Sequence, residues 1–194
     1  MKLSLLLNPF DKQTDKRLIV ASILISAFGI IMAILLNTRF DGVLDVHFAE
    51  VVAPTQACID FTVNTIALVV LLFAAAILVN RKTRPVDILL TVLIARLPYY
   101  LLTFFNIDGT MYTASEKMLT AVQEGAFPVA GDDMGLITLF TLASLTCMAW
   151  FGLLLCNGFR VATNSKGAKG IIFAILTILI AEVISKIIFL NISF

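Results

Sequence analysis

The sequence predicts an all-α polytopic membrane protein, a bundle of five transmembrane helices with short amphipathic surface helices. Three observations predict it. The 194 residues are 60% hydrophobic and 14% charged, with a mean hydropathy of +1.00, where a soluble domain has about 45–50% apolar and about 25% charged residues. Five runs are long and apolar enough to cross a bilayer, which takes about 20 residues of helix. The lysines and arginines collect in alternate connections, as expected of a chain that crosses repeatedly.

Residues 1–17 hold a short apolar stretch, LSLLLNPF, followed by DKQTDKR. It is too short to span and reads as an interfacial segment, stopped at Pro9 and anchored by Lys2, Lys12, Lys16 and Arg17. The first span, 18–36, carries no charge and is too long for a signal-peptide core, so an uncleaved helix is expected. Ser22 and Ser26, like Gly29 and Ala33, are four apart. That spacing lets helices approach closely in lipid, although small residues are also common in any membrane helix.

The connection 37–60 holds four acids, Arg39 and the only histidine, His47. Its DVHFAEVVA stretch predicts an amphipathic helix on the membrane surface. His47 beside Asp45 is a weak metal or proton-relay signal, outweighed by a solvated loop histidine. The second span, 61–79, has Asn64 near its start. A basic turn, NRKTRP, follows, and its Pro85 suits the first turn of the next helix.

The third span, 87–105, is the least ordinary. Asp87 sits at its positive dipole end, as a capping charge does. Arg96 lies near its middle, where a charge costs roughly 2.5–3.5 kcal/mol on insertion scales. Pro98 removes a helical hydrogen bond to Ile94 and is a kink candidate. Both defects require inward-facing neighbours, so the other helices are expected to wrap around this one.

The longest connection, 106–133, contains TASEKMLTAVQEG. It predicts a helix on the membrane face, with Thr113 and Glu116 as a capping box and Gly125 as the stop. Asp132 and Asp133 read as a solvated cap of the fourth span, 134–156, in preference to a cation site. That span is expected to end at Asn157-Gly158, before a polar loop with Arg160, Lys166 and Lys169. The fifth span, 171–190, carries Glu182, Ser185 and Lys186 on one face.

The N-terminal segment, the 80–85 turn and the 158–170 loop hold four, three and three cations, and the other two connections hold one each among nine acids. The positive-inside rule then puts the N-terminus in the cytoplasm and, after five spans, the C-terminus outside. Cys58, Cys147 and Cys156 are scattered without CxxC or Cys/His spacing, so neither a disulfide framework nor a metal site is expected. No basic patch interleaves with aromatics, which argues against nucleic acid. GxSxG, HExxH and paired catalytic aspartates are absent from the sequence, so no enzyme activity and no cofactor are expected.

Several features taken in order resemble the YIP1 family of five-span membrane proteins. LLLNPF before the first span is similar to that family's lead-in segment. RKTRPVDILLTVLIARLPYYLL matches its short basic turn and proline-bearing third span. WFGLLLCNGFRVATNSKGAKGIIFAILTILIA resembles its closing pair of helices. The resemblance implies a five-helix bundle with a cytoplasmic N-terminus and a non-enzymatic role in organising membrane or binding partner proteins. For eukaryotic relatives it also implies ER–Golgi traffic and Rab-type GTPases. Those relatives carry a long cytosolic extension, and fewer than twenty residues precede the first span here. A Rab partner is therefore not expected, and the compact form looks like prokaryotic members, which would place it in the plasma membrane. The expected partners are the lipid bilayer and a membrane protein or second copy.

Depth counted at about 1.5 Å per residue puts Arg96, Glu182, Asn64 and, one turn outward, Lys186 in one slab of the membrane. One reading is an internal ion-pair network that fixes helix register; the other is a path for a solute or ion. Either way the expected partner of Arg96 is Glu182, with Lys186 sharing the carboxylate or snorkelling outward and the freed Ile94 carbonyl open to a guanidinium donor.

Overall fold

The computed structural model describes residues 6–11, 13–125, 131–166 and 168–192, and the side chains of Asp132 and Lys169 lie outside that description. The expected anchors Lys2 and Lys12 fall outside it too. Five helical stretches among the described residues are long and apolar enough to cross a membrane.

Helix α1 spans Asp15–Leu35 and buries a stripe of Leu18, Ser22, Gly29 and Ala33. The small residues at four-residue spacing are thus at a packed face. A Cβ on Gly29 would collide with the Tyr100 ring, so only glycine admits that ring against the helix backbone.

Two short strands follow, β1 at Thr38–Arg39 and β2 at His47–Phe48, paired antiparallel. The surface helix expected over DVHFAEVVA does not form. His47 and Phe48 pair with Arg39 and Thr38 instead, in a hairpin that buries Thr38, Phe40 and Val43, an environment a hydrophobic-moment argument does not contain. Helix α2, Pro54–Val79, starts seven residues before the expected span, with proline at its first turn and Gln56 Oε1 accepting from the Ala53 amide at 2.9 Å.

Helix α3, Pro85–Ala95, and the short α4, Leu97–Leu101, meet at Arg96, which takes φ −71°, ψ −10°. Pro98 lies in the first turn of α4, and the Tyr99 and Tyr100 amides both donate to the Arg96 carbonyl, at 3.0 and 3.3 Å. Interrupted 3₁₀ turns over Leu102–Gly109 lead into α5, Thr110–Gln123. That helix starts three residues before the expected capping box, and Thr113 is inside it, donating to the Gly109 carbonyl at 2.9 Å. Asn106, 2% exposed, anchors the start instead: it donates to Leu36 O at 2.8 Å and accepts from Tyr112 N at 2.9 Å. Gly125, at φ +69°, stands just past the helix end, as the stop signal requires.

Helix α6 spans Asp132–Thr163 and α7 spans Ala168–Asn191. Asn157-Gly158 does not end α6. Gly158 instead lies so close to Thr91 of α3 that a Cβ would overlap it, and the helix turns out only at Asn164, in the left-handed region at φ +49°. The glycine serves helix packing, not termination.

The stretch 85–123 is the central one. Its apolar window is 67% buried, against 39% or less in each of the other four. Around it α2 packs on α7, α6 on α3 and α7, and α1 on α3. Hydrogen bonds mark two ends. Asn80 reaches Thr163 O at 3.0 Å, Arg84 reaches Asp15 at 3.3 Å, and Asn157 reaches Leu7 O at 2.9 Å, which gathers the three basic segments. Leu36, Asn106 and the hairpin gather at the other end.

Candidate functional site: a loop held by buried polar side chains

On α2, Asp60 and Asn64 are one turn apart and share a buried face, 1% and 0% exposed. On α7, Glu182, Ser185 and Lys186 fall at i, i+3 and i+4. Residues 37–53 enter the gap between these faces, and Arg39, Phe40, Val43, Leu44 and Asp45 bond to them.

Asp60 receives Arg39 through both carboxylate oxygens, at 2.7 and 2.9 Å, and the Phe40 amide at 3.1 Å. That is a bidentate, charge-assisted pair. Its hydrogen bond raises the Arg39 pKa further above its ordinary value, against the opposing effect of burial. Asn64 donates to the Phe40 carbonyl. Across the gap, Ser185 Oγ accepts from Val43 N at 3.2 Å and donates to Glu182 O at 2.9 Å, while Glu182 Oε2 accepts from Leu44 N at 2.7 Å. Gly42 passes under that carboxylate; a Cβ there would lie 2.9 and 3.0 Å from its oxygens. Lys186 pairs with Asp45.

His47 lies with Nδ1 3.0 Å from Asp41 Oδ1, and not on Asp45 as the sequence spacing implied. The hydrogen bond to the Asp41 carboxylate raises the His47 pKa against desolvation. Burial pushes Asp41 up, but the His47 hydrogen bond and charge outweigh it and leave Asp41 lowered. Among the described residues no group of three or more metal-ligating side chains forms. Asp133 is bonded to Lys117 at 2.8 Å.

Arg96 is 1% exposed. Its guanidinium carbon lies 5.9 Å from the Phe40 ring centre and 6.0 Å from that of Tyr100, within cation–π range. Nε and Nη1 have no hydrogen-bond partner. A cavity of about 10 Å³, lined by Gly29, Ala33, Phe40 and Phe61 among others, adjoins it, and such a volume holds one water at most.

The expected Arg96–Glu182 ion pair is absent; Glu182 is taken by Leu44 N, and the Ile94 carbonyl accepts from the Arg96 backbone amide, not from its guanidinium. Lys186 shares no oxygen with Glu182 and pairs with Asp45 instead. Matching depths on two helices suggested which groups to pair, but the loop supplies nearer partners. Of the sequence candidates, Asn64, Glu182 and Lys186 therefore meet one segment of chain, Arg96 meets only the Phe40 ring of it, and Pro98 lies in the helix turn after Arg96. Sequence reasoning left out Asp60 and Arg39, which it placed in a solvated connection. The available signal was the four-residue spacing of Asp60 and Asn64, which places them on one helix face once the helix is allowed to start at Pro54.

Comparison of the chain with family models, with curated proteins and with solved structures gives no match in any of the three.

Proposed function

We propose that this chain is a non-enzymatic, multi-pass membrane protein of the YIP1 type, which organises membrane or partner proteins through its helices and short loops. The observation that carries the reading is the use made of the buried polar groups. Asp60, Asn64, Glu182 and Ser185 each bond to residues 39–44 of the same chain. Side chains engaged in this way hold a loop in place; they are not left free to line a path for solute. The volume beside Arg96, about 10 Å³, is also far below that of a ligand pocket. The order of basic turn, proline-bearing central helix and closing helix pair supports the family assignment. Gathering of the basic segments at one end supports a cytoplasmic N-terminus by the positive-inside rule.

The rival reading, a small-solute or ion path, draws on the two unpartnered nitrogens of Arg96. Purified protein in liposomes, assayed for potassium, proton and chloride flux, separates the two. The expected result is flux equal to that of empty liposomes. Flux above that level which Arg96→Leu or Glu182→Gln abolishes would overturn the scaffold reading.

A further inference from the structure

A second opening lies between residues 44–46, α4 and α6. Its volume is about 290 Å³, and Leu44, Val46, Leu102, Phe140, Leu145 and Met148 make most of its wall. Four polar side chains join them: Asp45, Tyr99, Thr141 and Ser144. Asp45 is held by Lys186, and Thr141 donates to the Ile137 carbonyl. The other two are unusual. Tyr99 is 2% exposed, with its ring edge-on to Phe151 at 5.0 Å, and its hydroxyl has no hydrogen-bond partner. Ser144 Oγ is also buried and unpartnered. Its neighbours on α6 behave differently: Thr138, Thr141 and Thr146 each donate to the carbonyl four residues back, at 2.8, 2.8 and 2.9 Å. Two buried hydroxyls that lack acceptors therefore belong to residues in the wall of one largely apolar groove, where such groups are costly.

The direction of the groove points to its occupant. Thr141, Leu145 and Met148 line it and are themselves exposed, at i, i+4 and i+7 along an outward face of α6. In a bilayer that face meets acyl chains, so the mouth opens toward lipid and not only toward water. The lining offers hydroxyl donors and one carboxylate, and no cation is among its residues. This suits an uncharged acceptor and not a phosphate or a free carboxylate.

We propose that this groove is a binding site for the ester region of an acyl lipid, with Tyr99 and Ser144 donating to its carbonyl oxygens and the chain lying against Leu102, Phe140, Leu145 and Met148. The site rests on the membrane reading above, but not on the scaffold role.

The test places the full chain in vesicles of diether-linked phosphatidylcholine doped with a diester phosphatidylcholine that carries a diazirine on one acyl chain. Photolabelled residues are then mapped by mass spectrometry. The expected result is label concentrated on the groove residues of α4 and α6 relative to the outward face of α7 at Leu179 and Val183. Unlabelled diester lipid should compete about tenfold better than its diether analogue, which lacks the carbonyls. Tyr99→Phe with Ser144→Ala, which keep the ring and the helix, should reduce groove labelling about tenfold and leave the α7 face unchanged. Ser144→Trp, which fills the groove, should abolish it. Groove labelling no stronger than that of the α7 face, equal competition by the two lipids, or wild-type labelling in the double variant would each overturn the site. Failure of the protein to float with the vesicles would overturn the membrane reading together with it, whereas a positive flux assay would leave the site standing.

Discussion

At the scale of the residue, Asp60 is a fully committed charge. It is 1% exposed and accepts three hydrogen bonds, two from the Arg39 guanidinium and one from the Phe40 amide. Desolvating such a pair costs much of what the attraction returns, so its presence argues for register more than for net stability. Removing one partner is another matter, because it leaves the other charge buried alone. Asp60→Ala is therefore expected to cost on the order of 3–5 kcal/mol, read as a lowered thermal unfolding midpoint of the protein in detergent. Arg39→Met combined with Asp60→Leu should cost less than Asp60→Ala alone. Strictly additive losses would show that the two side chains are not coupled.

At the scale of the element, the glycines of α1 and α6 show how close the helices come. Gly158 faces Thr91, and Gly29 faces Tyr100, with no room for a Cβ at either. Gly152, six residues earlier on α6, has nothing within 4 Å of its Cβ position. The two α6 glycines should therefore respond in opposite directions to the same substitution. Gly158→Ala forces α6 and α3 apart and is expected to destabilise by about 1–3 kcal/mol. Gly152→Ala meets no neighbour and should gain roughly 0.5–1 kcal/mol from better helix propensity. Unfolding midpoints of the two variants in one detergent check this; equal shifts would show that Gly158 is not at a tight crossing. The same contact explains why Asn157-Gly158, a good stop signal by composition, lies in mid-helix. By composition Gly158 could mark either a helix end or a close approach, and only the neighbour decides which.

At the scale of the whole molecule, charge is segregated along the bundle. Residues 80–85 and 163–166 meet at one end, and the hairpin and residues 106–109 lie at the other. Single cysteines at exposed positions 82, 166 and 120, in a background without Cys58, Cys147 and Cys156, test the consequence for a membrane. Lys82→Cys and Lys166→Cys should react with an impermeant maleimide from the same side of sealed vesicles, and Thr120→Cys from the other. Labelling of all three from one side would exclude the five-crossing topology.

Much of this was legible in the amino-acid order, and the reason is that it depends on local properties alone. Span length, apolarity and the alternation of basic with acidic connections are set by residues near one another in the chain. They need no knowledge of which helix touches which. The same holds for the small-residue stripe of α1 and for the expectation that the helix carrying Arg96 is the most enclosed. The tertiary structure decided the rest. Leu44 and Glu182 are 138 positions apart, and Val43 and Ser185 are 142 apart. Depth counting treats the helices as the only supply of partners, so it joined Arg96 to Glu182 across the bundle. It had no means of knowing that residues 37–53 turn inward. Once they do, backbone amides take the acceptors on α2 and α7, Asp45 takes Lys186, and Arg96 is left against the rings of Phe40 and Tyr100. Hydropathy determines how many polar groups must be satisfied inside such a bundle. Which atoms satisfy them is decided by the path of the loop.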